Sequence, residues 1–510
     1  MSAYRELESR FKRMGLIGEA NAVLDWDRAA VMPDGGNTSR SEVTATLRVL
    51  RHELLVDGKV GDLIDEADGD NALDDWQRAN LREMRRVRLH AAAVPADLVA
   101  ALSRATAASE MVWRKARPAS DLAALMPHLQ AVLDLTREKA RVKSAALGVP
   151  LYEALMDEYE PGGRTERIDA IFDDYAAFLP DFLEQVLIRQ GRRPEQTRPA
   201  GPFPIDKQKA LGERFMRTIG FDFGHGRLDV SAHPFCGGVP DDVRITTRYA
   251  DDDFTQSLMG VLHETGHAMY ERRLPARWRW QPVGEARGMS VHESQSLLIE
   301  MQVCRGPEFM SFAAPLMRET FGGSGPAWEP DNLRRIYSKV ARSLIRVEAD
   351  EVTYPAHVIL RYRLEKALIA GDLALADLRG AWAEELKRLL GIVPPDDRRG
   401  CLQDIHWPEG IFGYFPTYSL GAMTAAQLFD AAKTAEPGLL PAIARGDFAP
   451  LMGWLEANVH GLGSKLSADE LLTRATGRPL DPAVFKDHLK GPLPRLEAAG
   501  WSLAAAGSGL

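Results

Sequence analysis

The sequence predicts a mostly α-helical protein with one small β-sheet. Apolar residues recur every three or four positions over long stretches, among them residues 81–145 and 168–189, as they do on the buried face of a helix. By contrast, Val243, Ile245 and Thr247 alternate with polar or small neighbours in a segment rich in glycine and proline. That alternation is typical of a half-buried strand.

Further signals indicate where individual elements begin and end. A second short strand is expected over residues 227–230, and with the first it would form a small antiparallel sheet. Ser467 and Glu470 have the spacing of a capping box, which predicts that a helix begins there. Three segments rich in proline or glycine are expected to be linkers or long loops: residues 190–204, 322–330 and 394–400.

The composition is that of an ordinary globular protein. The 510 residues include 72 acidic and 63 basic side chains, and the net charge of −9 argues against a general nucleic-acid binder. No stretch approaches the roughly 18 apolar residues that a transmembrane helix needs. The first residues carry charges throughout, unlike a secretory signal, and 3 scattered cysteines do not suggest a disulfide framework. We therefore expect a cytoplasmic protein with no nucleic-acid or membrane partner.

The chain is expected to fold as a single unit over residues 1–510. None of the three candidate linkers is long enough to require independently folding domains. The first linker is expected to separate a mainly helical N-terminal half, residues 1–200, from a C-terminal half, residues 201–510, that holds the chemical motifs.

The sharpest chemical signal is the run His263-Glu264-Thr265-Gly266-His267. On a helix, side chains four residues apart lie on one face, so both imidazoles can reach one metal ion. The carboxylate between them can act as a base on water bound to that metal. Zinc is the metal that this pattern favours, and it lowers the pKa of its bound water toward about 7. The competing interpretation is a chance match, because only three positions of the pattern are fixed.

A catalytic zinc needs a third protein ligand and an open position. The metzincin continuation is absent after His267, so we expect a carboxylate from a later helix. Glu293 is the best candidate, with Glu285 and Glu300 as rivals. Glu293 also has an alternative role, because Ser290 lies three residues before it and the two could form a capping box.

At this point the sequence resembles the carboxypeptidase Taq family of zinc metallocarboxypeptidases. The elements that carry the resemblance follow the family's order: HPF at 233–235, D-x-R-x-T at 242–246, the HExxH motif at 263–267, H-E-S-Q at 292–295, I-R-x-x-A-D at 345–350 and G-x-x-Q-D-x-H-W at 400–407. Weaker likeness extends over nearly the whole chain. One departure follows HESQS, where the family usually continues with Arg, Trp and Asn and this chain reads Leu-Leu-Ile-Glu-Met.

The resemblance implies a helical fold with a long substrate groove between two halves and the small sheet beside the zinc site. It implies a carboxypeptidase that releases single residues from peptides with a free C-terminal carboxylate. His263, His267 and Glu293 would hold Zn²⁺, although Co²⁺ or Mn²⁺ could occupy the same ligands. Glu264 would assist attack by the zinc-bound water. The family is commonly dimeric, so a homodimer is expected.

A carboxypeptidase must recognise a terminal carboxylate, and a guanidinium pairs with a carboxylate through two parallel hydrogen bonds. Arg346 is the candidate for this role. The alternative is a structural salt bridge to Glu348, Asp350 or another acid, and Asp350 has the helical i, i+4 spacing. Arg244 has a similar ambiguity, and we favour a bracing contact with Asp242.

The remaining candidates are histidines and tyrosines. His406 is expected to be catalytic, assisting at the oxyanion, with Tyr414 and Tyr418 behind it as substrate-binding residues. His233 is expected to shape the substrate site from the small sheet. Each of these could instead be an ordinary packed residue. His292 is expected to support the site or to pack, since on a helix it points away from its neighbour Glu293.

Two other functions stay open from the sequence. An endo-acting oligopeptidase could use the same zinc architecture, and it would cleave internal bonds regardless of C-terminal amidation. A helical binding scaffold with a dead peptidase site is the second, although the intact HExxH motif argues against it.

Overall fold

The computed structural model describes residues 2–491. The predicted class is confirmed, because helices dominate this range and a single three-stranded sheet interrupts them. No helix within the described range is long and apolar enough to cross a membrane. The helices are α1 Ala3–Ala30, α2 Asn37–Val56, α3 Gly58–Asp68, α4 Asp75–Ala92, α5 Ala96–Ala119, α6 Leu122–Leu147, α7 Leu151–Met156, α8 Thr165–Gly191, α9 Ile205–Ile219, α10 Phe254–Arg272, α11 Met289–Leu297, α12 Pro307–Phe321, α13 Pro330–Tyr337, α14 Tyr354–Ala370, α15 Leu378–Leu390, α16 Pro416–Ala435, α17 Leu439–Ile443, α18 Ala449–Asn458, α19 Ala468–Thr476 and α20 Pro482–Lys490. The strands are β1 Gly226–Val230, β2 Phe235–Val239 and β3 Asp242–Thr247.

Local sequence explains two of these helices directly. In α8 most of the periodic apolar residues, including Ile168, Phe172 and Leu179, are buried, so the 3.6-residue period marks the core-facing side. Helix α19 begins at the predicted capping box. The N–H of Glu470 donates to Ser467 Oγ (3.2 Å), and the N–H of Ser467 donates to the Glu470 carboxylate (2.8 Å).

The sheet is mixed, which corrects the prediction of an antiparallel sheet. β3 lies in the centre, with β1 parallel to it on one side and β2 antiparallel on the other. The physical reason is the loop 231–234, which crosses the end of β3 where the N–H of Ser231 donates to the carbonyl of Thr247 (3.1 Å). β1 and β2 are therefore not neighbours. The sequence did not predict β2, because Gly237 and Gly238 interrupt its alternating pattern.

The predicted linkers contain little regular structure. The first becomes a loop after α8 ends at Gly191, and it runs to the start of α9. The second and third each hold a single 3₁₀ turn, at Pro326–Trp328 and Asp397–Arg399.

Helix α10, which carries the HExxH motif, lies inside the main hydrophobic core. It packs against β2 and β3 on one side and against α11 on another, and α11 in turn packs against α16. The main core includes buried residues from both sides of the 190–204 loop, while a smaller core joins α1, α3 and α4. After α11 the chain continues directly into a π-helical segment, Leu298–Cys304. The motif is thus held on a buried helix between a sheet and two helices.

Candidate metal centre and catalytic site

Two imidazoles and one carboxylate meet at the interface of α10 and α11. His267 Nε2 lies 3.3 Å from Glu293 Oε2, and His263 Nε2 lies 3.9 Å from the same oxygen. One potential ligand atom from each of the three residues falls within 4.8 Å of the others. All three side chains are largely buried. Two imidazole nitrogens and a carboxylate oxygen are the ligand set of many catalytic zinc sites.

The second ring nitrogen of each histidine has its own partner, which orients the ring. His263 Nδ1 lies 2.9 Å from a carboxylate oxygen of Glu300, and His267 Nδ1 lies 3.1 Å from the carbonyl oxygen of His292. Because both partners accept hydrogen bonds, the Nδ1 atoms act as donors, which leaves each Nε2, on the side of Glu293, as the nitrogen that a metal ion could bind. The donor set therefore fits a bivalent cation.

Charge favours a cation at the same position. Burial raises the pKa of Glu264 to about 7, and the negative charges of Glu293 and Glu300 add to the rise while His263 opposes it. Burial alone would lower the pKa of His263, but Glu300 and Glu293 outweigh it and raise that pKa to about 10. The three carboxyl groups of Glu264, Glu293 and Glu300 thus lie close together beside His263, with Arg305 paired to Glu300, and a bivalent cation would offset the repulsion between them.

Close backbone packing holds Glu293 in place. Gly421 of α16 lies directly over it, and a Cβ atom at that position would come within 2.9 Å of Glu293 Cβ. The first turn of α11 is anchored by the loop after α7, since the N–H of Met289 donates to the carbonyl of Tyr159 (2.7 Å) and the N–H of Ser290 to the carboxylate of Glu160 (3.1 Å). The predicted alternative of a Ser290 capping box is wrong, because Gly288 rather than Ser290 precedes the helix.

Glu264 is buried beside this group with an exposed fraction of 7%. Its carboxylate makes no hydrogen bond with any residue between 2 and 491, whereas the carboxylates of Glu293 and Glu300 are both engaged. A buried carboxyl group with a pKa near 7 and no protein partner is suited to exchange a proton with a substrate or with water.

Arg346 is buried near the metal ligands and is paired with Asp404. Its Nε donates to one oxygen of Asp404 (2.9 Å), and Nε of Arg361 donates to the other (2.6 Å). Arg346 therefore does form a buried salt bridge, as the structural alternative expected, and its partner is Asp404. Asp350, named as one possible partner in that alternative, does not pair with Arg346, because Arg346–Glu348 forms a 3₁₀ turn and the carboxylate of Asp350 accepts from nearby backbone N–H groups.

Three tyrosines lie close enough to Arg346 and to Glu293 for both charges to act on their hydroxyl groups. The guanidinium carbon of Arg346 lies 4.9 Å from the ring centre of Tyr418, whose hydroxyl is 3.1 Å from His406 Nε2. Tyr414 packs on Tyr418 with ring centres 5.1 Å apart. Burial raises the pKa of Tyr354, the charge of Glu293 raises it further, and the charge of Arg346 opposes the rise. The tyrosines therefore lie within electrostatic reach of both groups.

The comparisons with known proteins agree with this geometry. Residues 6–493 match the family model described as "Carboxypeptidase Taq (M32) metallopeptidase". The chain belongs to this family.

Individual relatives match at full length. "Thermostable carboxypeptidase 1" of Thermus thermophilus is 37% identical over 500 residues, which is 96% of this chain and 98% of the relative. The protein of the same name from Pyrococcus furiosus is 33% identical over 498 residues, covering 95% of this chain and 97% of the relative. The solved structure "Trypanosoma Cruzi Metallocarboxypeptidase 1" superposes with a TM-score of 0.94 at 41% identity, covering 96% of this chain and 99% of that one. The protein is therefore a metallocarboxypeptidase.

Most of the expected site residues of this M32 enzyme come together. One buried region holds the three candidate metal ligands together with Glu264, Arg346, His406, Tyr414 and Tyr418. The exception is His233, which is exposed in the loop between β1 and β2 and forms no side-chain hydrogen bond with residues 2–491. Arg244 braces the sheet as favoured, since its Nε donates to Asp242 (3.0 Å) and its guanidinium lies over the ring of Trp26.

Sequence patterns did not identify the positions that Tyr354, Arg361 and Glu300 take in the M32 site. Tyr354 and Arg361 lie on α14 without any local pattern that marks them. Glu300 was considered as a rival ligand, but it contacts the far nitrogen of His263 and also pairs with Arg305. The one available signal was its position seven residues after Glu293. The rival Glu285 does not contribute to the three-residue cluster.

Proposed function

We propose that the enzyme releases single amino acids from the free C-terminus of peptides with Zn²⁺ held by His263, His267 and Glu293. The observation that carries the proposal is the buried guanidinium of Arg346, which packs on tyrosines that are also within electrostatic reach of Glu293. When bound there, zinc supplies Lewis acidity that polarises the scissile carbonyl and favours ionisation of water.

Glu264 serves as the general base in this proposal. Its ionised carboxylate takes a proton from the oxygen of the attacking water and later delivers that proton to the leaving amine nitrogen. Support comes from its burial, its pKa near 7 and its freedom from hydrogen bonds with residues 2–491. A carboxylate with a pKa close to the working pH can perform both transfers.

Arg346 reads the terminal carboxylate. Two guanidinium groups, Arg346 and Arg361, share the single carboxylate of Asp404, so this buried cluster has one positive charge in excess. The nearby histidines do not change this balance, since burial lowers the pKa of His406 to about 4 and that of His357 to about 3. A buried positive charge of this kind favours an anionic partner. Because Nε of Arg346 donates to Asp404, the other two guanidinium nitrogens of Arg346 can form the two parallel hydrogen bonds to the terminal carboxylate of the peptide.

We assign His406 and Tyr418 to stabilising the oxygen that becomes negative during attack. His406 Nε2 lies 3.1 Å from the Tyr418 hydroxyl, so His406 can donate to that hydroxyl oxygen and leave the Tyr418 O–H free to donate to the substrate. Burial raises the pKa of Tyr418 to about 12, so its hydroxyl keeps its proton at neutral pH. We assign Tyr414 to the wall of the same region. His233 has the weakest support, since only its place in the loop between β1 and β2 connects it with the site.

Some finer expectations stay predictions. Co²⁺ or Mn²⁺ would suit the same donors as Zn²⁺. The cytoplasmic location rests on the composition and on free Cys236, Cys304 and Cys401. The homodimer rests on the family resemblance.

A time course of product masses tests the proposal. One mixed-sequence peptide is supplied as the free acid and as the C-terminal amide, with and without a chelator. The expected result is a ladder that loses one residue at a time from the free acid only, and that chelation stops. Internal fragments from both peptides would replace the proposal with the endo-acting oligopeptidase. No cleavage with added Zn²⁺ would favour a scaffold.

A further inference from the structure

The two metal-binding histidines are supported in different ways. Glu300 contacts Nδ1 of His263 directly. No carboxylate among residues 2–491 contacts Nδ1 of His267, but that nitrogen lies 2.7 Å from Nδ1 of a third imidazole, His292. The other nitrogen of His292, Nε2, lies 2.7 Å from the carboxylate of Glu271.

Glu271, His292 and His267 thus form a row of hydrogen-bonded side chains. The hydrogen positions along this row follow from the groups at its two ends. Glu271 carries a carboxylate, which accepts, so Nε2 of His292 donates, and in the neutral imidazole its Nδ1 then holds a lone pair. His267 Nδ1–H then donates both to this lone pair and to the carbonyl of His292 at 3.1 Å. Nε2 of His267 is left with its lone pair facing Glu293. This is the tautomer that a metal ligand requires.

Sequence spacing explains why the row needs an intermediate. His263, His267 and Glu271 lie at i, i+4 and i+8 on α10, so they share one face. Glu271 is one turn beyond His267, and the ring of His292 fills the space between them. That ring is fixed by its neighbours, with its centre 4.6 Å from the ring of His267 and 5.6 Å from that of Tyr270.

We propose that Glu271 and His292 are positioning residues that hold His267 in its metal-binding tautomer. Both metal-binding histidines are then backed by a glutamate, one directly and one through a second imidazole. The charge of Glu271, transmitted through His292, makes His267 a stronger donor. This inference rests on the proposed assignment of His263, His267 and Glu293 as ligands of Zn²⁺.

The test measures binding of Zn²⁺ to the full-length metal-free protein by competition with a chromophoric chelator. The variants are Glu271→Ala, Glu271→Gln, His292→Phe and the double variant Glu271→Ala/His292→Phe. We expect Glu271→Ala and His292→Phe each to weaken Zn²⁺ binding by about 10- to 100-fold, the usual cost of removing the partner of a metal-binding histidine. Glu271→Gln should recover part of the loss, because its amide oxygen can still accept from His292.

The double variant tests whether Glu271 acts on His267 through His292, which we call a relay, or whether the two side chains affect packing independently. If Glu271 acts through His292, the double variant binds Zn²⁺ no more weakly than His292→Phe alone. The control is Glu456→Gln, which removes an exposed carboxylate paired with Arg273 just after α10 and should leave the affinity unchanged. Wild-type affinity in Glu271→Ala, or losses that multiply in the double variant, would overturn the relay alone. Failure of the wild-type protein to bind Zn²⁺ would overturn the proposed ligand assignment and the relay with it.

Discussion

Gly266 of α10 and Gln295 of α11 bring the backbones of the two helices into direct contact. A Cβ atom on Gly266 would lie 2.3 Å from the carbonyl oxygen of Gln295, which is far inside van der Waals distance. Gly266 lies between His263 and His267 in sequence, and Gln295 lies two residues after Glu293. The contact therefore sets the distance between the two imidazoles and the carboxylate.

Gly266→Ala should push the two helices apart. The added methyl group meets rigid backbone, so we expect a loss of about 1–3 kcal/mol in the free energy of unfolding, together with weaker binding of Zn²⁺. Urea unfolding and metal titration measure the two effects. Gly453→Ala is the matched control, because Gly453 lies within α18 with no atom near its Cβ position. In Gly453→Ala the free energy of unfolding should increase by up to about 1 kcal/mol. Equal changes in stability and in Zn²⁺ binding for the two variants would contradict the account.

Glu264→Gln should separate metal binding from catalysis. The amide keeps the size of the side chain but cannot accept the proton, so kcat should fall by about 10²- to 10⁴-fold while Zn²⁺ content is unchanged. Metal analysis and steady-state kinetics on the same preparation measure both. Glu456→Gln provides the control for removal of a surface carboxylate. Near wild-type kcat in Glu264→Gln would exclude Glu264 as the base.

The pH profile should report the same group. Glu264 acts as a base only when ionised, and burial raises its pKa to about 7 before a metal ion is bound. A bivalent cation beside it lowers this pKa, so kcat/KM should decline on the acid side with a midpoint below about 7. Rates are expected to rise with pH through that limb. A profile that instead rises as the pH falls would refute the assignment.

Asp404→Asn should destabilise the fold, because it leaves Arg346 and Arg361 buried without an anion. Burial alone would raise the pKa of Asp404, but the two guanidinium groups outweigh it and hold that pKa well below its usual range. The stabilisation is present above the unfolded-state pKa of about 3.9 and is lost as the pH falls toward the lower folded-state value. We expect Asp404→Asn to lower the free energy of unfolding by about 3–5 kcal/mol at neutral pH.

Urea unfolding at neutral and acid pH checks this prediction. The difference between the wild type and Asp404→Asn should shrink below about pH 4 as the wild type loses its ionised carboxylate. Asp487→Asn, which removes one partner of an exposed pair with Lys490, should change stability by less than about 1 kcal/mol. Equal losses in the two variants would mean that the buried charges are not coupled as described.

The local parts of the site could be predicted from the sequence. The i, i+4 spacing places His263 and His267 on one helix face by geometry alone. The residue types of Glu264 and Glu293 suited the base and the third ligand once the family resemblance was considered. Periodicity also identified α8, and a capping box identified the start of α19.

Contacts between distant segments could not be predicted in this way. Arg346 and Asp404 are 58 residues apart, and no local pattern connects them. The i, i+4 rule suggested Asp350 because it assumes a helix, whereas the chain forms a 3₁₀ turn there. The mixed sheet depended on the path of one crossing loop, and the position of Glu300 depended on a π-helical segment that sequence patterns do not reveal.

The most direct test of the account compares kcat/KM for a peptide as its free acid and as its C-terminal amide in the wild type, Arg346→Lys and Arg346→Ala. The account predicts a strong preference for the free acid in the wild type, a reduced one in Arg346→Lys, which keeps the charge without the two parallel hydrogen bonds, and almost none in Arg346→Ala. The loss should come from slower cleavage of the free acid. Equal losses for free acid and amide in Arg346→Ala would contradict the claim that Arg346 reads the terminal carboxylate.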